Sequence, residues 1–135
     1  MRSLVIVSSH PPSRELLARY LAEPLQHTEM AVDADAALVS IARKRPSAVV
    51  VDLRRADEDA PLLLGLLRKR YRSLAVICLL PGAVRVVEGE AERVYPVSQG
   101  HPGDLEDLLL LVQRAVREVS AQALLGIWRP GQGEA

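Results

Sequence analysis

Asp52 closes the run Ala48-Val49-Val50-Val51, a continuous apolar and largely β-branched stretch that ends on a single carboxylate. Such a run reads as a buried parallel strand, which delivers its acid to the carboxyl edge of a sheet, where open α/β folds build their sites. The shorter run Leu4 to Val7 reads the same way and brings Ser8, Ser9 and His10 to that edge. His101 lies in a loop with Gly100 and Gly103, and Cys78 lies inside the apolar run Leu74 to Leu80. If His10, Asp52 and His101 converged, two imidazoles and a carboxylate could hold a metal ion. The ordinary reading of both histidines, and of His27, is a solvent-exposed loop. Ser8-Ser9-His10 pairs nucleophile and base types, but sequence neighbours need not bond productively, and the glycines of a nucleophile elbow are absent. A dinucleotide site is unsupported, because Ser-Ser-His-Pro-Pro rather than a glycine-rich turn follows the first strand. Cys78 is a small buried strand residue with no second cysteine to pair with. The plainest role for Asp52 is a loop acid that is paired with Arg54 or Arg55, or simply solvated.

The elements that position these residues alternate. Pro11, Pro12 and Ser13 suit a helix start, and Leu16, Leu17, Tyr20 and Leu21 recur at helical spacing up to Pro24. Glu29 to Val32 is a short second strand. Asp33 or Asp35 caps a helix with Ala37, Leu38 and Ile41 on one face, ending before Pro46. Pro61 opens a third helix through Leu62, Leu63, Leu66 and Leu67 to Arg70, and Leu74 to Leu79 is a fourth strand. Pro81-Gly82 breaks the chain, and the segment from Ala83 to Glu92 is expected to be a short or irregular helix. Arg93 to Val97 is expected as strand five, with Pro96 marking an edge or a strand end. From Asp104 a long helix carries Leu105, Leu108, Val112, Ala115 and Val119 on one seam, widened by Leu109 and Val116, and is expected to reach Leu125.

At 135 residues the chain fits one domain. We take residues 1–125 as that domain and 126–135 as a flexible tail. Seventeen basic against seventeen acidic residues leave no net charge, so no bulk field favours nucleic acid or an anionic membrane. No apolar stretch reaches spanning length, and Met1-Arg2-Ser3 leads directly into a strand-like run, so a cytoplasmic protein is expected.

The order of elements, with Ser8-Ser9, Asp52 and Leu80 at successive strand ends, resembles the receiver domain of bacterial two-component response regulators over residues 3–119. The resemblance implies an α/β fold, a doubly wound five-stranded parallel sheet of flavodoxin-like, receiver-like type, here with an extended C-terminal helix. In that family the first strand ends in a pair of acids that bind Mg²⁺, and the third ends in the phosphoacceptor Asp. The fourth ends in Thr or Ser, and the fifth in Lys followed by Pro. Asp52 matches the phosphoacceptor. Ser8 and Ser9 stand where the acid pair should be, and Leu80 stands at the hydroxyl position. The Lys position falls to His101, before Pro102, in one alignment and to Tyr95, before Pro96, in another.

Phosphoryl transfer is positioning plus charge neutralisation, and Mg²⁺ needs carboxylate ligands that serines do not replace. We therefore expect no resident cofactor and weak or absent Mg²⁺ binding, and a pseudo-receiver rather than an enzyme. Such a protein would act as a phosphorylation-independent interaction or regulatory module. The alternatives are an atypical receiver phosphorylated on Asp52, and a small-ligand or metal-binding domain using the same edge. In the receiver family the region around the last helix commonly mediates dimerisation or output contacts. That implies a candidate interface at Leu109, Val116, Val119 and Leu124, occupied by another protein or by a second copy in a homodimer, with neither nucleic acid nor membrane as partner. There is no room after residue 125 for an output domain, so output is expected to pass through a partner.

Overall fold

A computed structural model describes residues 2–23, 26–54, 59–96 and 105–123. In chain order the elements are β1 (Arg2–Val7), α1 (Pro11–Tyr20), β2 (Gln26–Ala31), α2 (Ala34–Lys44), β3 (Ala48–Asp52), α3 (Asp59–Arg70), β4 (Ala75–Leu80), β5 (Ala83–Glu88), β6 (Ala91–Pro96) and α4 (Leu105–Ala123). The strands form one sheet in the order β2-β1-β3-β4-β5-β6. Apolar runs without polar alternation demand cover on both faces. β3 is buried at all five positions, and it sits between β1 and β4.

Strand side chains alternate between faces. Leu4, Ile6, Val50 and Ile77 pack under α1 and α4, while Val5, Val49, Val51 and Val76 pack under α2 and α3. Helix starts follow local chemistry. Pro11 and Pro12 occupy the first turn of α1, where a missing N–H leaves nothing unsatisfied. The Ala36 amide donates to Asp33 Oδ1 at 2.8 Å, capping α2, and Arg45 ends that helix in the left-handed region with φ 48°. Among the described residues no helix is long and apolar enough to cross a membrane.

The region after β4 corrects the sequence expectation. The segment from Ala83 is a strand, the sheet has six strands rather than five, and it is mixed rather than parallel. The reason is the length of the connections. A parallel crossover needs a dozen residues or more, whereas Leu80 pairs with Ala83 across Pro81-Gly82, and Glu88 pairs with Ala91 across Gly89-Glu90. Two-residue links allow only antiparallel hairpins. Pro81 followed by Gly82 at φ 85° fits the central pair of a type II turn, and Gly89 at φ 57° supplies the positive φ of the second link. Val84, Val86 and Val87 add β-branched residues, which favour the pleated surface over a helix.

Two reversals return the chain to its original direction. β6 therefore ends at the same edge as β3 and β4, with Pro96 in register with Ala83 and Ala83 with Leu80. Pro96 terminates an outer strand, as its missing N–H requires. α4 is described for 19 residues, up to Ala123. The 126–135 tail lies outside the described residues.

Candidate functional site

β1 and β3 are parallel neighbours with Val7 opposite Val51, so Ser8 and Asp52 emerge together at the carboxyl edge. Asp52 is 7% exposed and Ser8 is 4% exposed. The Ser8 hydroxyl donates to Asp52 Oδ2 at 3.3 Å. Arg54, two residues further on, turns its guanidinium back over the carboxylate. Its Nε donates to Oδ1 at 3.0 Å, its Nη2 donates to Oδ2 at 3.0 Å, and its backbone N–H donates to Oδ1 at 3.1 Å.

The contacts close into a ring. Arg54 Nη2 also donates to Ser13 Oγ at 3.0 Å, and Ser13 Oγ lies 2.8 Å from His10 Nδ1. The His10 backbone N–H returns to Ser8 Oγ at 3.3 Å. Arg14 Nη1 donates to the Ser8 carbonyl at 2.7 Å, fixing the turn that carries the hydroxyl. The first turn of α1 thus holds Ser13 and Arg14 over the edge, and β1 and β3 hold Ser8 and Asp52 beneath them.

A carboxylate has about four acceptor sites, and here four donors address its two oxygens. Burial alone would push the Asp52 carboxyl up, because water is withdrawn from the charged form. The Arg54 guanidinium and amide, joined by the Ser8 hydroxyl, outweigh burial and hold it below its ordinary range. Asp52 is therefore a carboxylate at neutral pH whose counter-ion is built into its own chain.

Beside it lies a crevice of about 10 Å³, lined by Val7, Ser8, Ser9, Asp33 and Asp52 among others. That is room for about one water molecule. Asp33, the second acid on this crevice, has Oδ1 engaged as the cap of α2. Mg²⁺ demands octahedral oxygen ligands and usually keeps several waters. The carboxylate oxygens are instead addressed by hydrogen-bond donors, and the space is too small for a hydrated cation, so this arrangement does not fit Mg²⁺. Among the described residues no group of three or more His, Cys, Asp and Glu is placed to hold a metal ion.

The other sequence candidates divide. Ser9 is exposed and takes no part in the ring. Leu80 ends β4, partly buried, and brings an apolar side chain to the edge. His10 is a part-buried member of the ring rather than a solvated loop residue, and His27 is an exposed residue of β2 rather than of a loop. Tyr95 ends near the same edge, but the intervening β5 puts β6 three strand spacings from β3, roughly 14 Å. Its hydroxyl donates to Glu118 of α4, and Arg114 lies 5.6 Å over its ring. Arg55 and His101 lie outside the described residues. Cys78 is 2% exposed, and burial pushes its thiol up to about 11.

The expected interface is corrected as well. Leu109, Val116 and Val119 are 3%, 3% and 2% exposed, and they pack into the core with Leu17, Ile77 and Val86. α4 lies across β3, β4 and β5, so the broad sheet face takes up the seam from Leu108 to Val119. Leu124 lies outside the described residues. Among the residues of the helix whose burial is described, the exposed ones are Glu106, Leu110, Arg114 and Arg117, of which Leu110 is apolar. Ser13 and Arg14 are the functional neighbours that sequence reading missed. Ser13 three residues after His10, at a helix start, was the available signal, but it reads as a helix-start residue until the sheet places Asp52 beside it.

No protein-family model matches the chain, and no curated protein matches it. Solved structures do. The signal receiver domain of an HD domain-containing protein from Pseudomonas fluorescens Pf-5 is 22% identical, with a TM-score of 0.60 over 89% of this chain and 98% of that one. A two-component transcriptional regulator AraC from Clostridium phytofermentans ISDg is 16% identical, with a TM-score of 0.66 over 93% and 97%. The response regulator RcsB of Salmonella typhimurium is 18% identical, with a TM-score of 0.51 over 94% of this chain and 68% of that one. By its strand order, its edge carboxylate and these likenesses, the chain has the fold of a response-regulator receiver domain, with a strand inserted between its fourth and last parallel strands.

Proposed function

We propose that this protein is a cytoplasmic pseudo-receiver, a regulatory module that works by binding another protein and does not depend on phosphorylation of Asp52. One observation carries the reading: all the acceptor capacity of Asp52 is taken by Arg54 and Ser8. A phosphoacceptor must offer an oxygen lone pair in line with phosphorus, with a metal cation neutralising the charge that gathers there. Here a tethered guanidinium supplies the positive charge, and Ser8 donates where a metal-ligating acid would accept. With the neutralised state made permanent, the fold serves as a fixed surface, and the module has no catalytic step of its own.

Intact-mass spectrometry after incubation with acetyl phosphate and Mg²⁺ tests this, with thermal stability read on parallel samples containing beryllofluoride. We expect no added phosphoryl mass and no stabilisation. A phosphoryl adduct that disappears in Asp52→Asn would refute the reading and restore the phosphorylated receiver.

A further inference from the structure

The replacement of a helix by β5 opens a second site at the other edge of the sheet. Between the end of α3 and the β5–β6 hairpin lies a groove of about 300 Å³, the small end of the range for ligand clefts. Leu74, Val76 and Val87 form its apolar floor, and Arg68 and Arg72 stand on its rim with the Tyr71 ring between them in sequence. Gly89 and Glu90 of the hairpin close the far side. The groove lies at the amino edge of the parallel strands, where Ala75 of β4 pairs with Ala48, whereas Asp52 lies at the carboxyl edge.

Charge is concentrated there despite the neutral chain. Arg68, Lys69, Arg70 and Arg72 are four basic residues within five positions, with no acid among them. All four are exposed, and none of their side chains makes a hydrogen bond or ion pair with another described residue, although Arg68 is near enough to Glu92 to help lower its carboxyl. Four other surface arginines are matched: Arg43 with Glu29, Arg85 with Glu92, Arg114 with Glu118 and Arg117 with Glu23. Two exposed arginines beside a concavity with an apolar floor fit an anionic ligand that also carries an apolar group.

We propose that this groove binds an acidic segment of a partner protein, with one large apolar side chain seated on Leu74, Val76 and Val87 and its flanking carboxylates paired with Arg68 and Arg72. An apolar anchor inside a charged rim is how protein interfaces concentrate their energy. A nucleic-acid backbone would use the cations but not the floor, and the chain has no net positive charge to favour it. Glu90 on the opposite rim sets direction, since it repels a carboxylate that the arginines attract. The proposal names the partner chemistry of the interaction module, and it holds whether or not Asp52 accepts a phosphoryl group.

The probe is a short synthetic peptide with one leucine flanked by aspartates and glutamates, titrated into ¹⁵N-labelled protein. Comparators are the same peptide with serine for leucine, polyglutamate, single-stranded DNA and phosphatidylserine vesicles. We expect amide shifts at Tyr71, Val87 and Gly89, and about tenfold weaker binding of the serine peptide. The double variant Arg68→Glu/Arg72→Glu should bind the leucine peptide about tenfold more weakly, the order expected for two lost rim pairs. Arg70→Glu, outside the groove, should change it by about twofold or less, and circular dichroism checks that each variant folds. Equal binding of leucine and serine peptides, tighter binding of DNA or vesicles, shifts elsewhere or no binding would each overturn the proposal. The mass experiment above fails or succeeds separately, so the two readings are distinguishable.

Discussion

Replacing Arg54 with alanine would remove the Nε and Nη2 donors from a buried carboxylate, while the residue-54 amide and the Ser8 hydroxyl remain. The Asp52 side chain is 2% exposed and that of Arg54 is 19% exposed, so the pair is screened by the protein more than by water. Unit charges about 4 Å apart at an effective dielectric of about 20 attract by about 4 kcal/mol. The two remaining donors and the relieved desolvation of the guanidinium offset part of this, leaving a loss of about 2 kcal/mol at pH 7. For a chain of 135 residues that corresponds to a fall in Tm of about 8 °C.

The pH dependence separates this from a packing defect. In the native protein Asp52 is held below its ordinary range, so its stabilisation is present above the unfolded value of about 3.9 and is lost as pH falls through the lower folded value. Without Arg54, burial dominates and raises the folded value, so the variant loses stability as pH rises through it. The gap between the two proteins should therefore be widest near neutrality and narrow towards pH ~3. Urea unfolding across that range measures it. The double variant Arg54→Ala/Asp52→Asn should recover about 1 kcal/mol or more relative to additivity. A gap that stays constant with pH, or additive single effects, would refute an Arg54-neutralised carboxylate.

Two further predictions follow from the fold. Leu109→Ala should cost about 2–5 kcal/mol in urea unfolding, whereas the adjacent and 48% exposed Leu110→Ala should stay within about 0.5 kcal/mol; similar values would mean that α4 is rotated from the orientation described. Gly82→Ala has free space around the new Cβ, so its expected cost of about 1 kcal/mol is purely conformational, from φ 85°. An unchanged unfolding midpoint would argue against the Pro81-Gly82 hairpin.

Much of the sheet was legible because burial on both faces leaves short, β-branched apolar runs bounded by polar or turn residues. Leu4 to Val7, Ala48 to Val51 and Leu74 to Leu79 are apolar at every position, and each lies on a central strand. Asp33 as a cap and Pro11-Pro12 as a helix start were equally local, since each acts on backbone groups within a turn of itself. β5 was legible in principle. A two-residue link admits no crossover, and Val84, Val86 and Val87 are β-branched, but the missing alternation at Val87 hid the strand because both Val86 and Val87 are buried on opposite faces.

The sequence by itself determined which segments are strands and helices around Asp52, and that the acid ends a buried run at the sheet edge, because periodicity and chain stiffness are properties of neighbouring residues. Arg54, two residues on, was a partner the sequence could name; only the tertiary structure decided what else Asp52 meets. Ser8 lies 44 positions away, and Ser13 meets Arg54 across 41, so no local rule specifies the ring that closes around the pair. The same holds for α4, whose apolar seam was plain in the sequence. Whether that seam faced a partner or the core depended on how much sheet lay beneath it, and the inserted β5 supplied the surface that took it inward.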